Sequence, residues 1–233
     1  MPFASTRISL QWPPEPAEET TDTLVLTSHD LHFVDIRITK PLPAPTSTDN
    51  DSHIDWIITG IENPLEGTTK VEFKHEINSH LKLNTGEAFD IGDFHDAPNG
   101  DRSETGIMEN WNTGKMSPYE EIWRSIDPNV STPENYVREL KKESEAACVV
   151  YKLAEKESEW LGQMVRIGSF AQGAILNRST NKVSCVRWYL KEGQWQVVFQ
   201  NGKEVSKIPN GDDKLGAVVE LENLRWKVIE SSF

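Results

Sequence analysis

Polar and apolar residues alternate with a period of two over much of this chain, the signature of strands with one packed face. Residues 23–27 and 32–39 predict two strands joined by a tight turn. In the second, Val34, Ile36 and Ile38 share one face and Phe33, Asp35 and Arg37 the other. Residues 40–53, rich in Pro, Ser and Asp, read as a surface loop. Further strands are expected at 55–60, 69–75 and 80–84, followed by irregular hairpins between Gly86 and Gly114. Later in the chain the alternation resumes, with strands at 147–153, 163–177, 182–190, 194–200, 217–221 and 224–230. Lys191-Glu192-Gly193 and Glu222-Asn223 fit short hairpin turns, while Gly168 and Gly173 interrupt one long run as a bend or bulge would.

One stretch breaks the pattern. Ser117-Pro118 followed by Tyr119, Ile122 and Trp123 combines a cap, a first-turn proline and apolar residues three and four apart, which predicts a helix ended by Asp127-Pro128. A second helix is expected to start at Ser131-Thr132-Pro133-Glu134, with Tyr136, Val137 and Leu140 on its apolar side and Lys141 and Lys142 near its end. The expected organisation is therefore a β-barrel domain at 1–117, a helical connector at 118–144 and a second β-barrel domain at 145–233. No repeated βαβ unit supports a parallel sheet, so the fold class is mainly β, two small antiparallel barrels in tandem.

Composition sharpens this picture in three ways. The chain has eight Trp in strand-like contexts, each able to bury on the order of 200 Å², so Trp is expected to dominate the core. The formal charge is −13 and uneven: residues 1–117 carry 8 Lys and Arg against 20 Asp and Glu, residues 118–233 carry 16 against 17. An acidic first half repels phosphate backbones and argues against a nucleic-acid partner. The two cysteines, Cys148 and Cys185, lie in apolar runs and are expected to be buried free thiols. Residues 1–12 lack the charged and apolar regions of a secretory signal, and no apolar run approaches ~18 residues. A cytoplasmic location, extending to the nucleus, and no membrane span are expected.

Several strings are distinctive together: DWIITG at 55–60, ENWNTG at 109–114, YEEIWRSIDP at 119–128, MVRIGSFAQGAIL at 164–176, GKEVSKIPNG at 202–211 and LRWKVIE at 224–230. In this order and spacing the chain resembles the fungal Hri family, a family named for interaction with a casein kinase I. The resemblance implies two lipocalin-like (calycin-type) barrels in tandem and a casein kinase I as a protein partner. It implies no catalytic mechanism, and no functional residue is carried over from it.

The densest cluster of polar groups is His75, Glu76, His80, Asp90, Asp93, His95 and Asp96. Its two closest histidines sit five apart, which fits neither a helical metal motif nor one face of a strand, so it reads as an exposed acidic loop and no metal site is expected. Asp35 and Arg37 share a strand face with Phe33; the solvent-exposed reading is preferred, and an inward face would let them orient a polar group on a ligand. Arg187 and Tyr189 lie opposite Val186 and Trp188 and are expected outside, with the Trp face as core. Phe33, Asp35, Arg37, Arg187 and Tyr189 are thus the candidate ligand-binding residues. No nucleophile elbow, phosphate loop, dinucleotide fingerprint or Cys-x-x-Cys pair is present, and no cofactor is expected.

The leading expectation is a non-enzymatic binding or interaction protein that takes a protein partner and has room for a small apolar ligand. The alternative is a cofactor-independent isomerase, cyclase or hydrolase acting inside one barrel, with His32 and His53 the first histidines to inspect.

Overall fold

A computed structural model describes residues 1–81, 88–139, 146–153 and 159–233. Eight strands form the first half: β1 (Phe3–Gln11), β2 (Thr21–Thr27), β3 (His32–Thr39), β4 (Ile54–Pro64), β5 (Lys70–Asn78), β6 (Phe89–Asp96), β7 (Arg102–Asn110) and β8 (Lys115–Ile126). Each pairs antiparallel with its sequence neighbour, and β8 returns to β1, so the meander closes into a barrel with no free edge. The second half is a seven-stranded antiparallel sheet of β9 (Cys148–Leu153), β10 (Trp160–Ile167), β11 (Phe170–Asn177), β12 (Lys182–Lys191), β13 (Gln194–Asn201), β14 (Val218–Leu221) and β15 (Leu224–Ser231). Its order is β13-β12-β11-β10-β9-β15-β14, a half-barrel that curls but stops short of closure. The segment between β13 and β14 spans its open side. There Ile208 joins the apolar cluster, and the Trp226 Nε1–H donates to the Lys207 carbonyl at 2.8 Å.

Among the described residues no α-helix occurs; the only helical turns are three short 3-10 turns. The helix expected at 117–127 is instead β8, paired with β7 on one side and β1 on the other. Residues four apart share a face in a helix and in a strand alike, so the Tyr119/Trp123 spacing could not discriminate. What decides is that Tyr119, Glu121 and Trp123 are the more buried residues, alternating with Pro118, Glu120 and Ile122. Residues 131–139 of the second expected helix run as turns and isolated bridges, Thr132 with Asn135 and Ile126 with Arg138. Leu140, Lys141 and Lys142 lie outside the described residues, as does most of the strand expected at 80–84. The first strand, β1, was not expected, although Arg7-Ile8-Ser9-Leu10-Gln11 alternates with a period of two. No helix among the described residues is long and apolar enough to cross a membrane.

The main core lies between the halves rather than inside the barrel. Leu24, Leu26, Val34, Ile36 and Ile38 point outward from β2 and β3 and pack against Val165, Ile167, Phe170, Leu176 and Phe199 of the sheet. Each such side chain contributes about 1.5–3 kcal/mol when fully buried. A second cluster, around Trp188 and Trp226, fills the concave side of the half-barrel, and a third, around Trp56, Tyr119 and Trp123, lies inside the closed barrel.

Candidate functional site

Because β3 has the sheet behind it and the barrel lumen in front, neither of its faces reaches water. Asp35 and Arg37, expected to face solvent, are 3% and 7% exposed and point into the lumen with Phe33. Charges buried there must be matched, since an unpaired one costs several kcal/mol. Arg37 Nε donates to Asp35 Oδ2 at 2.9 Å and its Nη1 to Glu121 Oε1 at 3.0 Å. Arg7 Nη1 donates to the same Glu121 oxygen at 2.6 Å, and Arg7 Nε to Glu19 Oε2 at 2.6 Å. Signs alternate along this row from Glu19 to Asp35. Burial works against the Arg37 charge, but Asp35 and Glu121 outweigh it and hold its pKa well above the usual value. The guanidinium also lies 4.9 Å from the Trp56 ring and 5.7 Å from that of Trp123.

A further acid sits outside that row. Glu104 accepts from the Tyr119 hydroxyl at 2.7 Å and from the Trp123 indole N–H at 2.8 Å. Both donors are neutral, and burial, then the Glu121 carboxylate, push the Glu104 pKa up to about 8. Gly92 makes this placement possible, because a Cβ there would meet Glu104 Oε1 at 2.3 Å. Near the Phe94 end, Glu62 accepts from the Thr27 hydroxyl at 2.8 Å, and burial raises its pKa to about 7. Between these groups lies a cavity of about 70 Å³. Asp35 borders it, and its buried Oδ1 finds no hydrogen-bond partner among the described residues.

The polar cluster around residue 75 is not a loop. Apart from His80, which lies in the turn after β5 and stacks on Trp56, it falls on β5 and β6, which divide it between two faces. His75 and Asp90 border the barrel cavity, with His75 Nε2 3.4 Å from Asp90 Oδ1, whereas His95 pairs with Asp93 in an exposed setting. Glu76 pairs with Lys152 of the sheet. Among the described residues no three His, Cys, Asp or Glu side chains are grouped to hold a metal ion. His32 and His53 do not border the cavity; the histidine that does is His75.

Arg187 is not outside either. It is wholly buried in the seam between sheet and barrel, where Nε donates to Gln172 Oε1 at 2.7 Å, Nη1 to Asp22 Oδ1 at 2.6 Å and Nη2 to the Ile36 carbonyl at 2.8 Å. Tyr189 packs half-buried against the same core, 5.3 Å from the Phe170 ring. Both faces of β12 are therefore covered, one by the barrel and one by the Trp188 cluster. The five candidate residues divide between two places: Phe33, Asp35 and Arg37 in the lumen, Arg187 and Tyr189 in the seam. Sequence reasoning missed Arg7, Glu104, Glu121 and Tyr119. The period of two in Tyr119-Glu120-Glu121-Ile122-Trp123 could have signalled an acid aligned with two aromatics.

Two more open features are present. A groove of about 540 Å³ in the half-barrel is bordered by Val186, Trp188, Ile208, Val219 and Leu221. On the outside of β6, β7 and β8, which the sheet leaves uncovered, Phe89, Ile91, Ile107 and Met116 are 58%, 38%, 66% and 67% exposed. They border an open concavity of about 950 Å³ that also carries Asp93, Glu109 and Glu120 against Lys70.

The chain was compared with known proteins. It is 25% identical to Protein HRI1 of Zygosaccharomyces rouxii over the full length of both, and 22% identical to Protein HRI1 of Kluyveromyces lactis over 97% of each. The crystal structure of the uncharacterized protein YLR301w of Saccharomyces cerevisiae superposes with a TM-score of 0.81 at 24% identity, covering all of both chains. That likeness concerns the fold. The names of these relatives state no reaction, ligand or partner, so the isomerase, cyclase or hydrolase alternative gains no support from them. The model of the family described as Protein HRI1 matches residues 3–230, and the chain belongs to that family.

Proposed function

We propose that this is a non-enzymatic interaction protein of the cytoplasm or nucleus, built on a calycin-type barrel, that docks a basic segment of a protein partner on the outer face of β6–β8. The observation that carries the reading is the row of Phe89, Ile91, Ile107 and Met116, large apolar side chains exposed on three adjacent strands. Contiguous exposed apolar surface of this kind marks interaction sites. Asp93, Glu109 and Glu120 beside it, in the half of the chain with the acidic excess, select a positively charged partner. The partner suggested by resemblance is a casein kinase I. Capture of purified casein kinase I on the immobilised protein is expected to fall by about tenfold or more when Ile107→Glu and Met116→Glu are combined. Val218→Glu, at a 50% exposed position on the sheet edge, should leave capture unchanged. Equal capture by all three proteins overturns the reading.

The small apolar ligand has a better home in the groove beside Trp188 than in the barrel, whose lumen is smaller and lined by carboxylates. Enhanced emission of the dye 1-anilinonaphthalene-8-sulfonate, abolished by Val219→Glu, would support that second reading; emission indifferent to the substitution would remove it.

A further inference from the structure

The barrel lumen carries a chemistry of its own, independent of the outer face. Five carboxyl side chains border its cavity, Asp35, Glu62, Asp90, Glu104 and Glu121, against two guanidiniums, Arg37 and Arg102. Arg37 is shared between Asp35 and Glu121, while Arg102 is exposed and lies over the Phe94 ring at 4.8 Å. Arg7, behind the wall, also pairs with Glu121, and Arg102 acts on Glu62, so the carboxyl held by neutral donors alone is Glu104. Asp35 borders the cavity and is 3% exposed, and its buried Oδ1 has no hydrogen-bond partner among the described residues. Apart from Ser5 and His75 the remaining wall is apolar, with Val25, Ile58, Val71 and Met108 among aromatic rings: Phe33 and Phe73 meet edge to face at 5.7 Å, and Tyr119 stands opposite Gly106, where a Cβ would meet its ring at 2.8 Å.

An anion is excluded by the sign of this surface. A metal ion would need a group of oxygen or nitrogen ligands, and among the described residues none of three or more is assembled. Aromatic faces combined with carboxylates instead match an organic cation, which ring quadrupoles attract and which needs no tight coordination shell. The lumen already holds one such arrangement, with the Arg37 guanidinium beside Trp56 and Trp123. At about 70 Å³ the cavity has room for about two water-sized groups, the size of methylammonium.

We propose that the barrel lumen binds a small organic ammonium ion, with Asp35 and Glu104 supplying the negative charge and Phe33, Phe73 and Tyr119 the walls. The ion completes the charge balance of the interior. Glu104 must ionise for full effect, and the groups that face it are Tyr119 and Glu121 from β8, Asp90 from β6 and Arg37 from β3. With its pKa near 8, binding releases a proton from Glu104 at neutral pH, and affinity rises as the pH rises through that value.

Methylammonium is the probe, a primary alkylammonium that keeps its charge up to pH 9 as a lysine side chain does, and methanol is its neutral counterpart of matching size. Titration of the intact protein is followed by calorimetry and by the indole N–H resonances of Trp56 and Trp123. Methylammonium should shift both resonances where methanol and potassium chloride do not, and should bind about tenfold tighter at pH 9 than at pH 6. Glu104→Gln should weaken binding and flatten the pH dependence, and Asp35→Asn should weaken it with the pH dependence kept. Equal response to methanol, or indole resonances unmoved by methylammonium, overturns the proposal. Should either variant fail to fold, the comparison of the three solutes on the unsubstituted protein decides alone.

Discussion

The acid at the centre of the barrel sets a measurable pH dependence. In the unfolded chain Glu104 titrates at the ordinary glutamate value of about 4.3, whereas in the folded protein burial and Glu121 lift it to about 8. Between those values the folded state holds a proton that the unfolded state has lost. Folding is therefore favoured at the acid end of the window and loses ground as pH rises, at up to about 1.4 kcal/mol per pH unit, until the folded carboxyl ionises. Asp35 is also raised by burial, opposed by Arg37, and Glu62 reaches about 7, so these carboxyls give slopes of the same sign, while His32 and His80, lowered from 6.5 by burial, give the opposite slope below that value. Glu104→Gln removes one of them. Urea unfolding of both proteins at pH 5 and pH 8.5 should show the variant gaining stability relative to the parent as pH rises. A difference that is constant with pH would mean that Glu104 is ionised throughout.

Among the elements, β8 shows where the sequence was legible and where it was not. Strands β3, β12 and β15 lie close to where period-two alternation placed them, because each exposes two chemically distinct faces. Strand β8 carries Tyr119, Ile122 and Trp123 at a spacing that fits a helix, and only its pairing with β1 and β7 makes it a strand. The geometry has an energetic consequence. A helix would bury Ile122 with Trp123 on one side; the strand turns Trp123, 6% exposed, inward and Ile122 outward. Trp123→Ala should therefore cost about 3–5 kcal/mol, through lost packing and the lost hydrogen bond to Glu104, while Ile122→Ala should cost less than about 1.5 kcal/mol. Chemical denaturation of the two variants checks the ratio, and comparable losses would contradict the strand. The candidate site was half legible by the same logic. Asp35 and Arg37 stood out by pattern, but a polar strand face normally predicts water. Nothing local in β3 announces that its outer face meets another sheet and its inner face a closed lumen.

At the scale of the whole molecule, the seam joins what the sequence divided. The outward residues of β2 and β3 would leave a large apolar wall if the barrel stood alone, and the sheet covers it. Buried polar groups fasten the same seam: Gln163 donates to the carbonyls of Phe33 and Gly60, Gln172 to those of Leu24 and Val34, and Arg187 reaches Asp22 and Ile36. Separating the halves would exchange each of these bonds for one to water, at a net loss of about 0.5–1.5 kcal/mol per bond, and would expose the apolar wall around them. The two halves are thus expected to unfold as one cooperative unit. Both cysteines lie in the sheet, buried, with burial first among the causes that raise each thiol to about 12, so they report selectively on its opening. Under native conditions both should resist a thiol reagent. In a urea series their labelling at equilibrium should rise over the same range in which the far-UV dichroism of the β-sheets disappears. Labelling that precedes the loss of dichroism would mean that the sheet peels from a barrel still folded, and that the apolar wall of β2 and β3 tolerates water at far lower cost than its composition demands.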